Sequence, residues 1–136
     1  MAITFVRSAY TVSGNDELGA LSLDIGSAGT DRLVVVYIGA PSDAGNEGDS
    51  RTVLVDGKPA RLINFCKHTN KPNAGLTVWA IDEVGLGSSS GVVDLTNLGA
   101  DRIRVHAHLY TGVRNSVPEG TTVDLESAFT SNPEIL

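Results

Sequence analysis

The stretch Arg32-Leu33-Val34-Val35-Val36-Tyr37-Ile38 decides the fold class. It is the most apolar run in the chain, and it is rich in β-branched side chains, which are stiff at χ1 and fit a pleated surface better than a helix. The run is too short to be an ordinary helix. A short apolar stretch between turn signals reads as a strand buried on both faces, at the centre of a sheet. Its flanks agree. Gly26-Ser27-Ala28-Gly29-Thr30-Asp31 precedes it as a turn, and the polar stretch 39–50 follows it as a long loop.

Working outward, the same grammar repeats. Leu21-Ser22-Leu23-Asp24-Ile25 alternates apolar and polar residues, the mark of a half-buried strand. Further upstream, Ile3-Thr4-Phe5-Val6 and Tyr10-Thr11-Val12 are β-rich runs closed by Ser13-Gly14-Asn15-Asp16. Downstream, Thr52-Val53-Leu54-Val55 meets Asp56-Gly57, a pair suited to the positive φ angles of a type I′ hairpin turn. Pro59-Ala60-Arg61-Leu62-Ile63 is the expected return strand, with Pro59 at its start or on an edge. Residues 67–75 read as a second polar loop. Leu76-Thr77-Val78-Trp79-Ala80-Ile81, Val92-Val93-Asp94-Leu95-Thr96 and Ile103 to Tyr110 read as strands, and Gly85 to Gly91 as a flexible connection. Fifteen glycines punctuate these runs, and no stretch holds a sustained helical period. The pattern predicts an all-β domain: a two-sheet antiparallel sandwich, jelly-roll or immunoglobulin-like, of about eight strands over residues 1–113. Residues 114–136, with two prolines and sparse apolar anchors, are expected to form a C-terminal arm that adds at most one short strand.

Composition limits the function. At 136 residues and 14.2 kDa the chain has the length of one domain. Such a domain hides about two-thirds of its unfolded surface, enough for a core without staples. Hydrophobic residues at 41% and a mean hydropathy of +0.04 argue against wholesale disorder. The net charge of −6 disfavours nucleic acid, whose binding is dominated by phosphate neutralisation. No apolar run approaches a membrane span, and the N-terminal residues do not have the pattern of a signal peptide. A single cysteine, Cys66, excludes an internal disulfide. Charge is segregated: residues 1–50 carry −5, residues 51–115 carry +3 and residues 116–136 carry −4. Acidic ends facing a basic middle suggest docking within a subunit or between neighbours.

The stretches Thr30 to Val36, Val53-Leu54-Val55-Asp56-Gly57-Lys58-Pro59-Ala60, Leu76-Thr77-Val78-Trp79, Gly91 to Leu95 and Val105 to Val113 together resemble a β-sandwich module. That module recurs in phage structural proteins of the capsid decoration (cement) type and in bacterial surface proteins. The resemblance covers roughly residues 20–113 and implies a structural, adhesive role with no shared active site. It points to a non-enzymatic virion protein, assembled in the host cytoplasm and bound to the major capsid protein or another virion protein, with homo-oligomers expected. Partner contact is expected from the basic residues Lys58, Arg61, Lys67 and Lys71, and from the arm residues Val123, Leu125, Phe129 and Leu136. The alternative is a receptor- or glycan-binding module of a tail or fibre. A small metal-dependent or hydrolytic enzyme is the third reading.

The chemistry-bearing residues support the third reading least. His106 and His108 lie two apart on one strand face with Arg104, a spacing known from metal pairs, and Cys66 and His68 could complete a tetrahedral set. The adjacent Arg104 charge opposes a cation, and an exposed or subunit-facing strand is the simpler reading. No Gly-x-Ser-x-Gly or cysteine motif marks a nucleophile, and Cys66 is expected to be a buried inert thiol. Asp43, Glu47 and Asp49 lack EF-hand spacing. The expectation is no catalytic residue, no cofactor and no metal. Trp79 is expected between the sheets, and Tyr10, Tyr37 and Tyr110 are expected not to form an exposed aromatic cluster.

Overall fold

The computed structural model describes residues 2–14, 17–40, 52–68, 71–99 and 102–113, with main chain only for residues 40, 67, 68 and 71–74. Among the described residues nine strands and one short helix follow in order. They are β1 (Thr4–Val12), β2 (Leu21–Asp24), β3 (Leu33–Ala40), β4 (Leu54–Val55), β5 (Lys58–Pro59), β6 (Arg61–His68), β7 (Lys71–Asp82), α1 (Glu83–Leu86), β8 (Val92–Thr96) and β9 (Arg104–Thr111). They form two antiparallel sheets, one of five strands in the order β1-β9-β3-β7-β6 and one of four in the order β2-β8-β4-β5. The expected sandwich is therefore present, and β3 is the middle strand of the larger sheet.

The core lies where the inward residues of the two sheets meet. Val34, Val36 and Ile38 on β3 are fully buried, and register places each between inward residues of β9 and β7. Val36 sits between Ala107 and Trp79, so a small side chain on one side is matched by the largest on the other. Trp79 is 3% exposed, and its indole N–H donates to Thr77 Oγ1 at 3.0 Å, which satisfies its one polar group inside the core. Leu23, Val55, Val93 and Leu95 face this layer from the smaller sheet. The other face of β3 is only half covered, at Val35 and Tyr37. The strand is central but is not buried on both faces as its composition suggests.

Four local readings change. The runs 3–6 and 10–12 belong to one strand, with a bulge between Phe5 and Arg7. The Asp56-Gly57 turn forms as expected, with φ of 52° and 73°. Its return strand, however, is divided between the sheets. Lys58–Pro59 pairs with β4 at the edge of the smaller sheet, Ala60 N–H donates to Val53 C=O at 2.9 Å, and the chain then crosses to become β6, an edge of the larger one. Proline has no N–H to offer a ladder, so an edge suits Pro59. Residues 67–75, read as a polar loop, lie mostly in strand: β6 and β7 form a long hairpin, with Lys71 already paired to His68. Cys66 is inside β6 and half-buried, not a buried thiol at a strand end.

Helix α1 was not expected, nor was the tie it makes. Asp82 caps it, accepting from Gly85 N–H at 2.9 Å. Glu83 faces Arg32, whose side chain is 0% exposed. Glu83 Oε2 accepts from Arg32 Nε and from the Arg32 main-chain N–H, both at 2.9 Å. Its Oε1 accepts from Arg32 Nη2 at 2.7 Å and from Gly29 N–H at 2.9 Å. Arg32 also donates to the carbonyls of Ser89, at 2.6 Å, and Gly87, at 3.2 Å. These bonds hold the Glu83 carboxyl down at about 2, chiefly through the Arg32 hydrogen bonds. The glycine- and serine-rich connection 87–91 is thus pinned to the start of β3 and is not simply a flexible link.

Candidate functional site

The inward faces of both sheets are occupied by the core, so the side chains free to meet a partner lie on the outward faces. On the larger sheet, register assembles four rows across the strands. One row runs Tyr10, His106, Tyr37, Val78 and Asn64. The next runs Ser8, His108, Val35, Ala80 and Arg61. Phe5, Tyr110 and Leu33 lie beyond it at one end, and Val12, Arg104, Gly39, Leu76 and Cys66 at the other. The result is an open surface in which six aromatic or imidazole rings are neighbours. Phe5 packs edge-on against His108 and Tyr110, each with centroids 5.8 Å apart. Tyr37 meets His108 edge-on at 5.5 Å, and Tyr10 tilts over His106 at 4.5 Å. Edge-to-face contacts are the favourable geometry for such rings.

The three tyrosines therefore do form an aromatic cluster, contrary to the sequence reading. Each is unremarkable in its own strand, and only the pairing of β1, β9 and β3 brings them together. The bulge between Phe5 and Arg7 sets the phase of β1 so that Phe5 shares the face with Ser8 and Tyr10. The surface is only partly self-covered. Phe5 and Tyr10 remain 53% and 55% exposed, and Val12 and Leu76 are also open to solvent. Tyr37 is half-buried, and burial, with Tyr110 beside it, pushes its phenol above the usual range. Tyr37 is therefore neutral at ordinary pH and offers an O–H, not a charge. An open apolar surface of this kind on a small domain is a contact surface by default.

His106 and His108 share this face with Arg104, as their spacing requires. Cys66 does not approach them. It lies in the next row and three strands from β9, about 14 Å at the usual strand spacing. Among the described residues no three His, Cys, Asp or Glu side chains come together as a metal site. Asp43, Glu47 and Asp49 lie outside the described residues, as do Val123, Leu125, Phe129 and Leu136.

Of the basic residues expected to meet a partner, Arg61 is exposed on the outward face at β6. Lys58 is engaged internally: its Nζ donates to Leu86 C=O at 2.5 Å and to Ser89 Oγ at 2.7 Å. Ser89 Oγ in turn donates to Asp56 Oδ2 at 2.5 Å. A serine beside a lysine can be a nucleophile, but here the Ser89 hydroxyl donates to Asp56 and accepts from Lys58, so the lysine does not take its proton, and Ser89 is buried. This group ties the β4–β5 hairpin to the α1–β8 connection. The main chains of Lys67 and Lys71 lie in β6 and β7.

The fold and this face define a class: a two-sheet antiparallel β-sandwich with one uncovered aromatic–histidine sheet face. No family model matches the chain, and no curated protein matches it.

Proposed function

We propose that this chain is a non-enzymatic structural protein of a phage particle, a decoration (cement) protein seated on the capsid exterior. It is assembled in the host cytoplasm and binds the major capsid protein, or another virion protein, together with neighbouring copies of itself. The observation that supports this reading best is the open face of the larger sheet, where Phe5, Tyr10, His106 and their neighbours offer rigid aromatic contact area of the kind that dominates protein interfaces. The resemblance of residues 20–113 to decoration modules supplies the setting, and the charge of −6 fits a protein partner better than nucleic acid. Among the described residues no helix is long and apolar enough to cross a membrane.

The test is copy number. Mass spectrometry of purified particles is expected to find this chain at many copies per particle, and its removal is expected to lower the temperature at which capsids break. The same rings favour a second reading, a glycan- or receptor-binding module of a tail, because flat aromatic faces also stack on sugar rings. A few copies per particle, with binding to host-cell glycans that is lost in Tyr10→Ala, would select that reading instead.

A further inference from the structure

We propose that the open aromatic–histidine face of the five-stranded sheet is the docking surface for the C-terminal segment, residues 114–136, of a second copy of this chain. The inference deepens the decoration-protein reading and rests on it for its setting. Its chemistry stands on the face itself.

Three observations select this occupant. The first is charge. The face carries exposed Arg61 and Arg104 with the two histidines between them, while residues 116–136 carry four acids and no base. The second is pattern. In extended backbone Val123, Leu125 and Phe129 fall on one side and Asp124 and Glu126 on the other, so one side can lie on rings while the other keeps its charges toward the rim. The third is the direction of exit. Gly112 N–H donates to Thr30 C=O at 3.2 Å and Val113 N–H to Asp31 C=O at 2.9 Å. The chain therefore leaves β9 beside Thr30 and Asp31, just before β3, beyond the Phe5–Tyr110–Leu33 end of its own aromatic face. A second copy is the natural acceptor. Reach is ample: 23 extended residues cover on the order of 75 Å, whereas β9 with its 8 residues is about 27 Å long.

The experiment uses the full chain and two double variants. One removes rings from the face, Phe5→Ser with Tyr10→Ser. The other removes anchors from the arm, Leu125→Ser with Phe129→Ser. Circular dichroism and thermal melts check that each is folded. Sedimentation velocity over a concentration series is expected to show self-association of the parent that weakens with added salt. Each double variant alone is expected to associate about tenfold or more weakly, the effect of losing a central aromatic contact. Mixing the two is expected to yield a heterodimer, because an intact arm then meets an intact face.

A parent that stays monomeric at its highest soluble concentration overturns the inference. So does an arm variant that associates as well as the parent, the result expected if faces pack on each other, or a mixture that restores nothing. If the face variant does not fold, the arm variant alone still decides. A monomeric chain found at many copies per particle would overturn this inference and leave the decoration reading intact. Arm-and-face association in a chain absent from particles would do the reverse.

Discussion

Replacing Glu83 by Gln tests the account of the Arg32 tie most directly. The carboxylate accepts four hydrogen bonds, three from Arg32 and one from Gly29. A glutamine offers one acceptor oxygen, and its NH2 would point at donors, leaving a buried guanidinium without its counter-charge. Removing one partner of a buried pair costs about 3–5 kcal/mol. Here Arg32 is fully buried but the Glu83 side chain is 22% exposed, so water can reach the site and the lower end applies. The pKa leads to a similar figure. A fall from 4.5 to about 2 converts to about 3 kcal/mol, and about 2 after a discount for solvent screening. Because the folded value is depressed, this stability is present in full above about pH 4.5 and is lost as pH falls toward 2. Urea unfolding at pH 7 should therefore show Glu83→Gln losing about 2–3 kcal/mol, or about 1 M in midpoint for a typical slope. Repeated toward pH 3, the parent should approach the variant. A variant within about 0.5 kcal/mol of the parent at pH 7, the range of ordinary surface substitutions, would mean that the Glu83 carboxylate does not hold Arg32 in place. So would parallel pH profiles.

Trp79→Ala should destabilise the fold by about 3–5 kcal/mol in the same assay, since its ring is buried in the core beside its cross-strand partner Val36. Gly112→Ala should cost about 1–3 kcal/mol by thermal melt, because φ is +74° and a Cβ there would lie 2.6 Å from Ala2 C=O. Elemental analysis of the purified protein should find no stoichiometric zinc, iron or calcium. About one equivalent of zinc that disappears in a His106→Ala, His108→Ala double variant would reverse that expectation.

The parts of this fold that were legible in advance are those whose cause is local. The Val34–Ile38 run, the alternation of Leu21 to Ile25 and the Asp56-Gly57 turn each carry their conformation in a few adjacent side chains. Residues 67–75 read as a loop because their composition is polar, whereas what makes most of them strand is the pairing of β6 with β7, which composition does not announce. Arg32 was read simply as the first residue of a strand, since its partner Glu83 lies 51 positions away. The candidate face was half legible. Period-two spacing puts His106 and His108 on one side of β9, but Tyr10 and Tyr37 join them only through pairings between distant strands, and the phase of Phe5 depends on a bulge no motif announces.

The place of β9 between β1 and β3 also sets the order in which the protein can be completed. Among the described residues of the larger sheet β1 has β9 as its sole ladder partner, and about 90 residues separate Val12 from Arg104. At a synthesis rate of about 5–20 residues per second the first strand would wait on the order of 10 s for that partner. Throughout that time Phe5, Val6, Tyr10 and Val12 would stand on a strand with both edges unpaired, a template for wrong pairing with another nascent chain. A high content of such distant pairings also slows folding once the chain is complete. Yield from the cell should therefore depend on temperature and expression rate more steeply than the stability of the finished sandwich would suggest.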